Sequence, residues 1–144
     1  MAISDSRRLN IVLPHLYPDL VNEAPLLGGD YHLQNDSDGS GTQLHWNKEG
    51  IAEPTAQQLA DAKEAAIDAY WWKLLRRTRD RLLVNSDWSQ GADVPSSVKS
   101  SYVTYRTDLR DLPTTVTKPD FVTLDSQGVD EWISHIDSLM PSKP

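Results

Sequence analysis

The clearest pattern in the sequence is a long stretch in which apolar residues recur at helical spacing. Between Thr55 and Leu83 the chain contains no proline or glycine and is rich in alanine, glutamine, leucine, lysine and arginine, which favour helix. The stretch starts with a capping box, Thr55 to Gln58, directly after Pro54. It predicts a helix of about 28 residues, roughly 42 Å long, with an apolar face that broadens toward its C-terminal end.

A second, shorter helix is predicted from about Ser97 to Asp111, folded back on the long one. Its apolar positions are Val98, Tyr102, Tyr105 and Leu109. Pro113 is expected to end it, because proline cannot donate to the helical ladder. A short helix covers only part of a long one, so residues 59–69 are expected to be left for another copy of the chain or another protein.

The N-terminal region shows shorter patterns. Residues 9–13 (LNIVL) form a short apolar run among closely spaced prolines, and we expect this run to add as a strand to a neighbouring sheet. Tyr31 to Gln34 and Thr42 to Trp46 alternate around a glycine-rich turn. This alternation predicts a small β-hairpin.

The C-terminal region predicts a short helix from Val129 to about Leu139, capped by Asp125 or Ser126. Its apolar side holds Trp132, Ile133, Ile136 and Leu139. A terminal helix this short stays ordered only when it docks. The sequence therefore predicts an α+β fold, mainly α, in three parts: an extended and β-hairpin region over residues 1–50, a helical hairpin over 51–113, and a docking tail with a short helix over 114–144.

Composition narrows the class of protein and of partner. The 144 residues include no cysteine, which excludes disulfides and thiolate chemistry. No apolar run is long enough to span a membrane and no signal-peptide pattern is apparent, so we expect a cytosolic protein. The net charge is −7, yet residues 56–113 hold nine Lys/Arg against eight Asp/Glu, so the remainder carries −8. Such a chain repels nucleic acid and anionic lipid, which favours a protein partner.

An ordered series of short motifs links the two predicted helices. It reads R-D-x-L-L at residues 79–83, S-D-W-S-Q at 86–90, D-V-P at 93–95 and Y-R-x-x-L-R-D-L-P at 105–113. Upstream, the series is extended by Trp46, Pro54, Thr55 and Leu59. The stretch from Arg76 to Pro113, about 40 of the 144 residues, resembles the helical hairpin of bacteriophage tail assembly chaperones, small proteins encoded beside tail-fibre genes, and the upstream residues resemble the segment that precedes it. Gly91 and Tyr102 depart from the apolar residue and the tryptophan that are usual at those positions.

The resemblance implies a non-enzymatic chaperone that binds a phage tail fibre protein and assists its folding, trimerisation or attachment during tail assembly. The family has no established catalytic residues, so no cofactor is implied. The implied partners are the fibre protein and further copies of the chain, as a homo-oligomer, in the host cytoplasm during phage assembly. Two alternatives stay open: a structural component retained in the virion tail fibre or baseplate, and a small enzyme of unknown activity.

The expected partner-binding surface combines the apolar face of the long helix with a cationic stretch. It comprises Leu59, Ala62, Ala66, Tyr70, Trp71, Trp72, Arg77, Arg81 and Tyr105. Lys73, Arg77 and Arg81 are spaced i,i+4 beside aromatic rings, as in some sites for single-stranded nucleic acid. A salt-bridged or protein-binding face is favoured, since cations also suit the C-terminal end of a helix. In the turn, Asp87 is expected to accept backbone N–H bonds and Trp88 to be buried between the helices.

Two patterns are considered as metal sites, and both are incomplete. Asp36, Asp38 and Gly39 resemble the middle of a calcium loop, but His45 falls where a bidentate glutamate is required, so a hairpin turn is favoured. His32 and His45 are expected to pack across the hairpin, because the sequence places no third zinc ligand. We therefore expect no metal site and no catalytic residue.

Overall fold

The computed structural model describes residues 5–123 and 128–144, and within them the chain forms four α-helices and one two-stranded sheet. The elements are α1 (Asp5–Leu16), β1 (Tyr31–Gln34), β2 (Gln43–Trp46), α2 (Ala56–Asn85), α3 (Ser96–Thr115) and α4 (Val129–Leu139). Short 3₁₀ turns lie at Pro25–Leu27 and Asp87–Gln90. The predicted α+β fold, mainly α, is confirmed.

The chain divides into two compact units. Among the described residues, the first unit comprises residues 5–69 and Thr123, and the second comprises 70–122 and 128–144. The boundary falls inside α2, between Ala69 and Tyr70, so this helix supplies residues to both units. The three-part division expected from the sequence stays a prediction.

The N-terminal apolar run is helical, so the expectation of a strand is wrong. Residues 9–13 lie within α1, and residues 11–13 are buried. Pro14 lies in the last turn of α1, where it removes one backbone hydrogen bond, and the N–H of Tyr17 still donates to the carbonyl of Leu13 at 2.8 Å. Burial of three aliphatic side chains, each worth about 1.5–3 kcal/mol, outweighs that loss.

The β-hairpin is confirmed. β1 and β2 pair antiparallel with Tyr31 opposite Trp46 and His32 opposite His45. Tyr31 is buried and stacks on Trp46 with ring centroids 5.8 Å apart, and this burial raises the pKa of the Tyr31 phenol. The two histidine rings stack at 4.7 Å, as expected for cross-strand packing.

The start of α2 follows the predicted capping box. The Gln58 N–H donates to the Thr55 hydroxyl oxygen at 3.2 Å, and the Thr55 N–H donates to the Gln58 side-chain oxygen at 2.8 Å. These reciprocal bonds satisfy two donors that a helix start leaves without partners. From there α2 runs for 30 residues, close to the predicted length.

α3 starts near the predicted position, but Pro113 does not end it. Proline removes only the hydrogen bond from its own nitrogen, and the ladder resumes beyond it. The N–H of Val116 and the hydroxyl of Thr115 both donate to the carbonyl of Leu112, at 3.1 and 3.2 Å. The helix therefore extends to Thr115.

α4 has the predicted bounds, Val129–Leu139. Trp132 and Ile136 are fully buried, whereas Ile133 is exposed. The expected caps, Asp125 and Ser126, lie outside the described residues. None of the helices in the described ranges is long and apolar enough to cross a membrane.

Candidate functional site

The second unit contains a helical hairpin in which α3 packs on the end of α2. Tyr102, Tyr105 and Leu109 form its buried cluster. Partly buried apolar side chains pack around this cluster: Leu82, Leu83, Val98 and Met140. The apolar positions predicted for α3 therefore do form the contact between the helices.

Arg106 fastens α3 to the end of α2. Its side chain is almost fully buried, with Nη1 donating to the Leu83 carbonyl at 2.7 Å and to the Ser86 hydroxyl oxygen at 2.6 Å. Nη2 donates to Asp87 Oδ1 at 2.8 Å. The Leu83 carbonyl lies in the last turn of α2, where backbone acceptors lack helical partners and cations are favoured. Arg106 thus stabilises the C-terminal end of one helix from within the next.

The roles predicted for the two turn residues are wrong. Asp87 pairs with Arg106. The side chains that bond the local backbone are those of Ser86 and Ser89, whose hydroxyls donate to the carbonyls of Leu83 and Ser86. Trp88 is 53 % exposed and contacts Tyr102 edge-on, with centroids 5.1 Å apart. Buried Ser89 occupies the interior of the turn, which leaves the larger indole outside.

The paired tryptophans in the middle of α2 have different environments. Trp71 is fully buried and meets Trp72 edge-on at 4.9 Å, while Trp72 is half-buried and carries the guanidinium of Arg76 over its ring at 5.6 Å. Successive helical residues point about 100° apart, which explains the difference. One ring of the pair is therefore buried and the other is partly accessible.

The residues predicted to bind a partner differ in their accessibility. Arg77 and Arg81 are exposed. Leu59, Ala62, Tyr70 and Trp72 are half-buried, and Ala66, Trp71 and Tyr105 are buried. The expectation that residues 59–69 are left uncovered is wrong at Ala66 and Ile67, which a single chain already buries. A role in partner binding stays a prediction for the whole set.

One face of the second half of α2 remains open. Lys73, Arg77, Arg81 and Val84 are exposed and follow helical spacing. Asp80, which the spacing also puts near this face, forms an ion pair with Arg79 at 2.6 Å. We call Arg77, Arg81 and Val84 the hairpin face. It combines two cations with an aliphatic side chain that is 67 % exposed.

The β-hairpin loop behaves as a turn. The Asp38 carboxylate accepts hydrogen bonds from the hydroxyl and N–H of Ser40, which lower its pKa, and Asp36 accepts from the Gln34 amide at 2.6 Å. Across the described ranges, no group of three or more His, Cys, Asp or Glu side chains is placed to hold a metal ion.

Sequence reasoning missed the clamp formed by Arg106. The available signal was that Asp87 and Arg106 both lie in the quoted motifs and carry opposite charges on two elements expected to pack. It also missed Val84, because an isolated apolar residue at the end of a helix is indistinguishable by pattern from a core position.

Comparison with known proteins bears on this same hairpin. Residues 72–126 match the family model of the phage tail assembly chaperone protein. No curated protein and no solved structure matches the chain. The matched segment contains the second half of α2, the Asp87–Gln90 turn and all of α3. Over these residues, the chain is similar to the phage tail assembly chaperone family.

Proposed function

We propose that this protein is a non-enzymatic chaperone that binds a phage tail fibre protein in the host cytoplasm and assists its folding, trimerisation or attachment. The observation that carries the proposal is the family match, which falls on the α2–α3 hairpin. Binding to an incompletely assembled client shifts that client away from aggregation by mass action. No covalent step is required.

The hairpin face is the proposed binding surface. Arg77, Arg81 and Val84 are exposed on one side of α2, so they can meet a client without unfolding the chaperone. Arginine is favoured at protein interfaces because its fork reaches carboxylates and its stem packs on apolar surface. The proposed client segment therefore presents an apolar patch bordered by acidic side chains.

Two partly exposed aromatic side chains outside this face are further candidates for client contact. The exposed edge of Trp72 lies next to Arg76, which covers one side of its ring. Trp88 adds a large exposed ring at the turn. Aromatic residues commonly carry much of the energy at protein interfaces, so both rings belong to the proposed contact. Trp71 and Tyr105 are buried, so neither is part of the proposed contact.

The proposal is tested by producing the fibre protein together with each chaperone variant and measuring soluble fibre trimer. Arg77→Glu and Arg81→Glu are expected to reduce the soluble trimer, since each places a like charge opposite an acidic client. Lys143→Glu is the matched control, because this residue is exposed and lies outside the matched segment.

A second control addresses the β-hairpin. Asp36→Asn combined with Asp38→Asn is expected to leave soluble trimer unchanged, since both carboxylates make only local turn contacts. Loss of trimer in this variant, with normal yield for Arg77→Glu and Arg81→Glu, would overturn the assigned surface. Mass spectrometry of purified particles separates a transient chaperone from a structural component, which would give stoichiometric peptides.

A further inference from the structure

The segment between α1 and β1 forms a loop that is tied at its base. The Val21 N–H donates to the Asp30 carboxylate at 2.9 Å, and the Asp30 N–H donates back to the Val21 carbonyl at 2.8 Å. Asp30 also pairs with Lys48 at 3.0 Å. The first of these bonds and then the lysine lower the pKa of Asp30. Residues 21–30 are therefore closed into one unit of structure within the first compact unit.

The apex of the loop is fixed by backbone geometry. The Pro25–Leu27 turn is followed by Gly28 at φ 80°, in the left-handed region that favours glycine. At Gly29, an added Cβ would lie 1.7 Å from the carbonyl oxygen of Glu23, so only glycine fits. The N–H groups of both glycines donate to carbonyls within the loop, at 3.0 and 3.3 Å.

This ordered apex points two leucines into solvent. Leu26 is 99 % exposed and Leu27 is 72 % exposed. An isolated exposed leucine is ordinary, but here two adjacent ones sit on a loop already held in a single conformation. A pre-ordered apolar tip loses little conformational entropy on binding, which makes it well suited to enter a cavity in a partner.

The same compact unit also carries a cavity of matching chemistry. The cavity has a volume of about 170 Å³, opens to solvent, and is lined by Arg8, Leu9, Val12, Leu59, Ala60 and Lys63. An apolar cavity of about 150 Å³ accepts a benzene ring, so this one has room for the smaller side chain of leucine. Its walls are aliphatic and its two charged lining residues are cations.

The exposed charges that flank the loop in the sequence are acidic, and the lysine at its base, Lys48, is paired with Asp30. From residue 9 to residue 47 the chain has five acidic residues and no lysine or arginine. Asp19 and Glu23, on either side of Val21, are exposed. An apolar tip flanked by acids and an apolar cavity lined by cations are complementary in shape and in charge. This complementarity on one chain favours a second copy as the occupant.

We propose that the loop apex of one copy, through Leu26 and Leu27, docks into the Arg8–Lys63 cavity of a second copy. Reciprocal docking about a two-fold axis uses both features of both chains and closes the assembly as a dimer. Arg77, Arg81 and Val84 take no part, so this interface is independent of the proposed client surface.

The oligomeric state of the full chain tests the proposal. Analytical ultracentrifugation over a range of concentrations is expected to give the mass of a dimer. Leu26→Ala should raise the dimer Kd about tenfold or more, since each contact loses most of a buried aliphatic side chain. Leu26→Asp should give a monomer. Ala60→Phe, which fills the cavity from an exposed position of α2, should also give a monomer.

A mixing experiment distinguishes docking in this cavity from docking elsewhere. Leu26→Asp keeps its cavity and Ala60→Phe keeps its loop, so an equimolar mixture should form a heterodimer through one restored contact. The control is Val103→Asp, at an exposed apolar position of α3, which should remain dimeric. Circular dichroism and tryptophan fluorescence establish that each variant is folded.

The contrary outcomes are equally specific. A wild-type monomer at every concentration, or a dimer unaffected by Leu26→Asp, would overturn the proposal. A folded Ala60→Phe dimer, or a mixture of the two variants that stays monomeric, would remove the cavity as the site where the loop docks.

Discussion

At the scale of single residues, two motif residues of the α2–α3 hairpin have different roles because one side chain is buried and the other is exposed to solvent. Arg106 is 7 % exposed and makes three hydrogen bonds to the end of α2 and its turn. Trp88, the largest residue of that turn, stays mostly outside. The polar side chain therefore anchors the hairpin from within, and the aromatic one is available to a partner.

Arg106→Met is expected to lower the free energy of unfolding by about 2–4 kcal/mol, because charge-assisted bonds to buried backbone are worth about 1.5–3 kcal/mol each. Asp87→Asn should lower it by only about 1 kcal/mol, since the exposed carboxylate is screened by solvent. Urea unfolding measures both values. Arg110→Met, at an exposed position of α3, is the control, and an equal loss in this variant would argue against a specific clamp.

Trp88→Ala is expected to lower the free energy of unfolding by about 1–2 kcal/mol, in proportion to the half of the ring that is covered. Trp132→Ala should lower it by about 3–5 kcal/mol, because that ring is fully buried. The two denaturation midpoints, measured under the same conditions, check the contrast. Similar losses would place Trp88 in the core, as the sequence had suggested.

At the scale of elements, local signals predicted starts better than ends. Thr55 and Gln58 form the capping box that the sequence indicates, because all its partners lie within one turn. Pro113 and the prolines near α1 led to wrong predictions of where helices end or are absent. Whether a helix continues past a proline depends on how many apolar side chains the continued helix buries. The buried residues 11–13 and Leu112 supply that burial, and no local pattern reports it.

The loop base that contains Asp30 predicts a pH dependence. The folded pKa of Asp30 lies below its ordinary value of 3.8, so the carboxylate stabilises the fold above that pH and the contribution is lost as pH falls through the folded pKa. Asp30→Asn should be less stable than wild type near neutral pH and should approach it under acid conditions. Urea midpoints from neutral to acid pH measure the difference. A constant gap would contradict the assignment.

At the scale of the whole molecule, charge bears on partner class. The net charge of the chain is −7, whereas Arg77 and Arg81 are exposed together on α2. The hairpin face thus presents positive charge locally on an acidic protein. That arrangement suits a folded or folding protein client and opposes a polyanion.

We accordingly expect no measurable binding of single-stranded DNA at physiological salt, despite Trp72 and Arg76. Fluorescence anisotropy of a labelled oligonucleotide tests this. Binding that weakens steeply with added salt would indicate phosphate contacts. That result would support the hypothesis that the cationic stretch of α2 binds single-stranded nucleic acid. A Lys73→Glu variant that abolished such binding would locate it on α2.

Much of the fold, but less of the site, could be predicted from the sequence. Hydrophobic periodicity and turn residues were enough to predict the β1–β2 hairpin, the length of α2 and the bounds of α4. Three features depend instead on which groups come into contact after folding: the hydrogen bonds of Arg106, the exposure of Trp88, and the exposed leucines at the apex of the 21–30 loop. Composition and spacing do not contain that information, because the same residue types occur in cores and on surfaces.

The contacts that form α2 and the α2–α3 hairpin join residues that are close in the sequence, and this affects when the hairpin folds relative to translation. The capping box at the start of α2 joins residues that are three apart in the chain, and Arg106 bonds a carbonyl only 23 residues earlier. Helical structures with such local contacts fold in about microseconds to milliseconds, whereas a ribosome adds about 5–20 residues per second. We therefore expect the hairpin to be complete before its client protein grows by a single further residue.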